Sequence, residues 1–418
     1  MSAVCWRCIE DEYLKNMVRD DGNPRECSLC KCTDANAFAP DEMAHVVAPL
    51  IRLFFIQEPD AYKSGDDDSG VEITIGDPLS FHLPTVIGQY LGFQGEIIGA
   101  LEANENAGRR DGERFFDRSL TYVPVPRERN RYSHAWYDVH YQLRHRRRFF
   151  SDSARQFFTD LLGGIENRVG SATAKENRNA VWEFPQGSEI YRARICKSEK
   201  DINDSLSEPF KNVGPPPPEK ASAGRMNPEG IPVFYGSLNW ETCLAETRPA
   251  IGNDTAVIKL MTTKPLRLLD FSRLGGSLTR LSYFEPDFLV QRERGAFLKR
   301  LQWLISQPIV PGKQPDYIIT QTLAEYLAHV HEHPFDGMLF NSAQRLTGMN
   351  IVLFPDAGGG FPLTYVNNSI KLYCTRLIEY AHEEHLVLEM DGKFIVYPDD
   401  EETYLDYDNL HPAEEDEG

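Results

Sequence analysis

A multidomain chain that mixes helices with strands is what this sequence predicts, on three observations. Two Cys-x2-Cys pairs stand within residues 1–40. Apolar residues recur at helical spacing between positions 41 and 170. From residue 189 onward, strand-like runs alternate with Gly- and Pro-punctuated loops. The length of 418 residues exceeds what one core usually serves, so two or three domains are expected. A hydrophobic content of 41% is enough to build cores, and 11% aromatic residues argue against global disorder.

The first element is the pair of knuckles, Cys5-Trp-Arg-Cys8 and Cys27-Ser-Leu-Cys30, with Gly22 and Pro24 marking a turn before the second. Cys5, Cys8, Cys27 and Cys30 at this spacing suit tetrahedral thiolate ligation of a structural zinc, and a zinc ribbon is expected over residues 1–40. The alternative is a set of free thiols; a disulfide pair is the weaker explanation in a reducing compartment. Cys32 lies close enough to substitute for Cys30, whereas Cys196, Cys243 and Cys374 stand apart and read as packing residues.

Residues 41–180 read as mainly helical. Gly88–Asn104 and Ser151–Asn167 carry apolar positions at helical spacing, with Phe157, Phe158, Leu161, Leu162 and Ile165 on one face of the second. Ser151 or Ser153 can cap that helix. Asp66–Gly70 reads as a loop and lacks the downstream ligands of an EF-hand. The apolar stretch Met43–Ile56 is interrupted by His45, Pro49 and Arg52 and is too short to span a bilayer. With no signal peptide at the start, a soluble cytoplasmic chain is expected.

The most informative run is residues 223–246. It opens as a loop with Gly224, Pro228, Gly230 and Pro232, where backbone can approach a ligand closely. Val233-Phe234-Tyr235 follows as a strand, and a helix starting near Asn239 carries Glu246. The run therefore supplies a cation (Arg225), an amide (Asn227), an aromatic ring (Tyr235) and a carboxylate among apolar neighbours. Such groups suit an anionic, ring-bearing substrate; an ordinary strand-loop-helix surface is the plain alternative. Upstream, Glu189-Ile190-Tyr191-Arg192-Ala193-Arg194 reads as a strand with two arginines on one face. Downstream, Phe335–Ser342 and Gly348–Phe354 read as strand, polar loop, strand.

With its ordered Arg, Glu and Ser and the run Gly-Arg-Met-Asn-Pro-Glu-Gly-Ile-Pro-Val-Phe-Tyr-Gly, the region from about residue 185 to 360 resembles the RES-domain family. The resemblance implies an α+β fold related to ADP-ribosyltransferase-type toxins and an enzyme that cleaves the nicotinamide–ribose bond of NAD. It places the name-giving residues at Arg192, Glu246 and Ser342, with Arg225, Asn227 and Tyr235 completing the pocket. Many family members are toxins paired with a helix-turn-helix antitoxin, so an antitoxin or regulatory protein is an expected partner. Two points depart from a simple match: Met226 stands where many members have Trp, and Arg194 shares a face with the preferred Arg192. The helical stretch, with Trp136 and the run His145–Phe150, resembles the HEPN/RES-type module often attached to such domains.

That second resemblance brings a rival function. HEPN ribonucleases use Arg-x4–6-His, and Arg129 and His134 have that spacing. The surrounding segment 127–148 holds seven arginines and two acids, interleaved with Tyr132, Trp136, Tyr137 and Tyr141. Basic residues among aromatics can track a nucleic-acid strand, although an interdomain or acidic-tail contact would use the same residues.

The resembled activity accounts for the residue types. An arginine fork grips pyrophosphate by paired, charge-assisted hydrogen bonds. Departure of nicotinamide leaves positive charge on the ribose, which a carboxylate at Glu246 would stabilise by holding the ribose hydroxyls, by facing the oxocarbenium-like centre, or both. Tyr235 would stack on the nicotinamide ring or wall the pocket. Ser342 reads as a hydrogen-bond donor to nicotinamide or ribose and not as a nucleophile, since no nucleophile elbow surrounds it and no His is placed to activate it. The acceptor (water, phosphate or a protein side chain) stays open. The expected division is a zinc ribbon at 1–40, a helical module at 41–180, a catalytic domain at 181–380 and an extension at 381–418. The net charge of −19 argues against broad nucleic-acid affinity, although about half of it falls in residues 399–418, which hold ten acids and no Lys or Arg.

Overall fold

The computed structural model describes residues 2–57, 76–106, 114–125, 131–167, 179–278, 281–306, 317–378, 386–390 and 393–397. Asp66–Gly70, Arg129 and the acidic residues 399–418 lie outside them.

The amino-terminal part consists of β1 (Val4–Cys5), α1 (Glu12–Asp21), β2 (Asn23–Pro24), β3 (Asn36–Phe38) and α2 (Pro40–Phe54). The strands form a small sheet in the order β1-β3-β2, and α1 fills the interval between the two knuckles. Asp11 caps α1 by accepting from Leu14 N at 2.9 Å. Helix α2 buries Met43, Ala44, Val47, Ile51 and Phe54 along one face, at the helical period, which explains why that apolar stretch belongs to a core. Next come β4 (Phe55–Gln57), β5 (Asp77–Pro78), α3 (Leu79–Ile87), α4 (Gln94–Asn106) and β6 (Thr121–Pro124), with β4-β6-β5 forming a second three-stranded sheet. The helix expected from Gly88 therefore begins six residues later. Gly88 and Gly92 take φ of +83° and +60°, which end α3 and delay α4 to Gln94. Helices α5 (Arg131–His145) and α6 (Asp152–Leu162) follow, and Ser151 caps α6 as expected, accepting from Ala154 N at 3.3 Å.

The carboxy-terminal half contributes β7 (Val181–Phe184), β8 (Glu189–Cys196), α7 (Glu199–Ser207), α8 (Pro209–Val213), β9 (Phe234–Ser237), α9 (Trp240–Glu246), β10 (Asp254–Thr262) and β11 (Leu266–Asp270). Helices α10 (Phe288–Ser306) and α11 (Ile318–Glu325) precede β12 (Gly337–Asn341), β13 (Met349–Leu353), β14 (Leu363–Tyr365), β15 (Lys371–Cys374) and the hairpin β16 (Leu386–Met390) and β17 (Lys393–Tyr397). Nine strands join in one sheet of order β14-β10-β8-β9-β13-β12-β11-β7, with β15 also on β10. Among them β11 and β12 run parallel and the other pairs antiparallel. The fold is thus α+β, as expected.

The period of two decides the layers. Leu269, Met338 and Val352 face α5, α6, α10 and α11, while their neighbours Leu268, Leu339 and Ile351 share the opposite core with Val213 of α8. One hydrophobic core therefore takes residues from both sides of position 180: Trp136, Phe157 and Leu161 pack with Phe297, Leu323 and Met338. Helix α10 continues this joining. Its Phe288 lies in the core with Phe54 and Val47, and its Leu301 and Ile305 lie under the sheet. Buried Arg294 on the same helix donates to the carbonyls of Leu161, at 2.8 Å, and Gly163, which closes the end of α6. Among the described residues, no helix is long and apolar enough to cross a membrane.

Candidate active site and cysteine cluster

The loop from Ala221 to Ile231 owes its shape to Asn227. This residue is 3% exposed, and its amide nitrogen donates to the carbonyls of Ser222, Pro228 and Ile231 at 2.9–3.0 Å. Its Oδ1 accepts from the Tyr235 hydroxyl at 2.8 Å, and that hydroxyl in turn accepts from Met226 N at 2.9 Å. From below, Gln321 Nε2 of α11 donates to the carbonyls of Gly224 and Asn227, each at 2.9 Å, and Thr320 Oγ1 donates to Arg225 O at 2.6 Å. Asn227, expected to bind substrate, and the hydroxyl of Tyr235, whose ring is expected to stack on the nicotinamide or wall the pocket, have their hydrogen bonds committed to the loop. Met226, the departure from the usual Trp, is buried in the helix-facing core.

Gly224 is required by that arrangement. A Cβ there would stand 2.7 Å from both Asn227 Oδ1 and the Tyr235 hydroxyl. Gly224→Ala is therefore expected to break the Tyr235–Asn227 bond and destabilise the protein by about 1–3 kcal/mol, read by denaturant unfolding. Unchanged stability would show that the loop adapts without this contact.

Glu246 is the last residue of the seven-residue α9, which Asn239 caps by accepting from Thr242 N at 2.7 Å. Its Oε1 accepts two hydrogen bonds, from Ser342 Oγ at 2.5 Å and from Asn350 Nδ2 at 2.9 Å. Ser342 lies just after β12, and Gln344 N donates to its Oγ at 3.1 Å. The Ser342 proton is thus directed at the Glu246 carboxylate. Asn350 is held in turn: its Oδ1 accepts from Ser237 Oγ at 2.8 Å, and the two residues are register partners across β9 and β13. Both are buried, at 7% and 1% exposure. Asn350 and Ser237 do not stand out in the sequence; the signal it offers is a polar residue inside each of two apolar strands. Gly348 lets the parts close up, since a Cβ there would meet Thr242 Oγ1 at 2.5 Å and Ser342 Cβ at 3.0 Å.

The two arginines approach from other elements. Arg192 on β8 donates to Tyr235 O at 2.5 Å and lies 5.3 Å from the Phe234 ring centroid. Burial pushes its guanidinium down to about 10, so it remains a cation at neutral pH. Arg194, on the same face of the strand, is exposed and donates to Asn212 O at 2.7 Å, so the two candidates are distinguished by their surroundings. Arg225 donates to Ile305 O near the carboxy end of α10. Its guanidinium is lowered by burial, while Tyr317 and Glu246 oppose that shift, which places it within the field of the carboxylate. Cys243 links the two sides. Its thiol donates to Tyr191 O at 3.2 Å and is pushed up to about 12 by burial, with Arg192 lowering it and Glu246 adding to the rise. Arg192, Arg225, Tyr235, Glu246 and Ser342, drawn from five separate segments, are thereby brought into one neighbourhood.

Elsewhere, the sulfurs of Cys5, Cys8, Cys27 and Cys30 all lie within 4.8 Å of one another. Tetrahedral zinc–thiolate bonds of about 2.3 Å imply sulfur separations near 3.8 Å, so the four fit a metal. Cys5 and Cys30 are 3.6 Å apart, and Cys32 is 3.2 Å from Cys30 and 3.6 Å from Cys5. The fifth thiol thus borders the cluster, in keeping with its place in the chain. Of the ribonuclease pair, Arg129 lies outside the described residues, and His134 is exposed on α5. His331, the middle one of the alternating His329, His331 and His333, closes the helical segment before β12, its Nδ1 accepting from His333 N at 3.1 Å.

Residues 189–369 match the family described as RES domain, and that part of the chain is a RES domain. The match begins at the first residue of β8 and includes every site residue named above from Arg192 to Asn350. No curated protein and no solved structure matches the chain.

Proposed function

We propose, starting from the RES domain at residues 189–369, that the protein consumes NAD by breaking its nicotinamide–ribose bond, as a glycohydrolase or phosphorylase. The observation that carries this reading is the Glu246 carboxylate, fixed through Oε1 by Ser342 and Asn350 with Arg225 within its field. In the reaction the C–N bond to nicotinamide breaks and its electron pair leaves with the neutral ring. Positive charge then develops on the ribose carbon and ring oxygen. Glu246 faces that charge, Arg192 and Arg225 hold the pyrophosphate, and the Tyr235 ring walls the nicotinamide side. Water or phosphate forms the new bond to carbon and releases its proton to solvent. A small nucleophile needs only a narrow path to this centre, which favours these two acceptors over a protein side chain.

Incubation with NAD, with and without phosphate, tests the reading by chromatography of nicotinamide and its co-product. Free ADP-ribose, ADP-ribose-1-phosphate and labelled protein distinguish hydrolysis, phosphorolysis and ADP-ribosyl transfer. NAD left intact under every condition while RNA is cut by the wild type and not by His134→Ala would replace this reading with the ribonuclease. Arg192→Lys keeps the charge and loses the fork, so it is expected to raise KM for NAD about tenfold, measured by initial rates. Unchanged KM and kcat would remove Arg192 from substrate binding.

Depletion of NAD would make the protein a toxin-like or defence effector, for which an antitoxin or other regulatory partner is the expected control. The four-cysteine cluster is proposed to hold one structural zinc, since four thiolates at this spacing suit that ion.

A further inference from the structure

We propose that the turn joining α5 to α6 is a docking surface for single-stranded nucleic acid, built from Tyr141, Arg146, Arg147, Arg148, Phe149 and Phe150. The inference is independent of the NAD reading, since none of these residues belongs to the site around Glu246.

Three rings stand in solvent here: Tyr141 is 54% exposed, Phe149 74% and Phe150 96%. Phe150 has φ of +54°, in the left-handed region that a residue with a Cβ disfavours. Local strain and an exposed ring are both unfavourable, and neither serves the core. Strain of this kind persists where its surroundings impose it, and it is concentrated at functional sites.

The surroundings do impose it. Arg146 N and Arg147 N both donate to Gln142 O, at 2.9 and 2.8 Å, which closes α5. Gln142 Oε1 accepts from Ser153 Oγ at 2.7 Å, and Ser151 caps α6, so the turn is tied at both ends. Beneath it Leu143, Ala154, Phe157 and Phe158 are buried. The rings are therefore presented from an anchored turn, which lowers the ordering cost of binding.

The charges suit a polyanion. Arg144 and His145 sit in the last turn of α5, where cations complement the helix dipole, but Arg146, Arg147 and Arg148 lie beyond the helix end. Among the described residues, no acid forms an ion pair with those three. The Arg146 guanidinium lies 5.7 Å from the Tyr141 ring centroid, and Tyr141 lies 4.9 Å from the His145 ring. Cations beside aromatic faces at one turn match a chain whose every unit offers a phosphate and a base. A duplex hides its base faces, and an acidic peptide would engage the arginines while leaving the rings without stacking partners. The net charge of −19 opposes long-range attraction, so binding is confined to this patch and falls steeply with salt.

Fluorescence anisotropy of the full chain with a labelled oligouridylate of about 15 nucleotides at low ionic strength is the test. The wild type is expected to bind, and Phe149→Ala with Phe150→Ala to weaken binding about fivefold or more. Arg146→Ala with Arg147→Ala is expected to flatten the salt dependence by roughly one to two contacts' worth of slope. Because the altered side chains are exposed, thermal stability and turnover of NAD should match the wild type in both variants. Absence of binding, binding that the variants leave unchanged, equal affinity for a duplex, or capture of a synthetic peptide of residues 399–418 in place of the oligonucleotide would each overturn the proposal.

Discussion

Glu246→Gln is expected to slow nicotinamide release from NAD by about a hundredfold or more, the usual cost of losing one aligned electrostatic group at a reacting centre. The substitution is informative because of how the carboxylate is held. Ser342 Oγ and Asn350 Nδ2 both donate to Oε1, and a glutamine carbonyl oxygen at that position can accept both. Shape and hydrogen bonding are then preserved while the negative charge proposed to face the ribose is lost. A fall in kcat with little change in KM would therefore report charge stabilisation in the transition state. Folding should be unaffected, which a thermal melt run beside the kinetics can establish. If Glu246→Gln turns over NAD as fast as the wild type, Glu246 has no part in the chemistry.

Loss of the proposed zinc from the amino-terminal cluster is expected to have the second large effect. Purified, reduced protein should carry close to one zinc per chain, and Cys5→Ser combined with Cys27→Ser should lose it. Both thiols are fully buried, and structural zinc sites in small peptides supply about 10–16 kcal/mol of apparent binding free energy. The damage should spread beyond residues 2–38. Val4 and Ile9 pack with Leu14, Met43, Val47 and Ile51, and Arg25 is paired with Glu42 on α2, its Nη2 donating at 2.9 Å. Hydrogen exchange should accordingly rise in α1 and α2 on chelation. Turnover of NAD should survive in part, because none of these cysteines adjoins Glu246. Freshly purified protein without zinc would end the metal reading.

Much of the site is legible in the sequence. Asn239 followed by a short helix, the Gly- and Pro-marked loop and the strand-loop-strand at 335–354 are local patterns, and local patterns are written in contiguous residues. So are the knuckles, whose clustered thiols follow from Cys-x2-Cys spacing, and the buried face of α6. Long apolar periodicity is less secure at its ends: Gly88 and Gly92 stop a helix through positive φ, although the apolar positions continue past them.

What the tertiary structure alone decided are the contacts between distant segments. Gln321 and Thr320 hold a loop about ninety-five residues earlier in the chain, and Asn350 and Ser237 orient a carboxylate on a helix between them. None of these pairs leaves a periodic trace, because each depends on which strands become neighbours. The same reason separates Arg192 from Arg194: a period of two places them on one face, and only the packing of β9 and α9 makes one part-buried beside Tyr235 and leaves the other at the surface. It also explains Asn227, whose residue type suggests a ligand contact but whose amide closes its own loop. Residue types and local spacing thus determined which chemistry this chain can carry. The sheet order β8-β9-β13-β12 determined which side chains meet, since hydrogen-bonded strands bring together residues that the sequence keeps far apart.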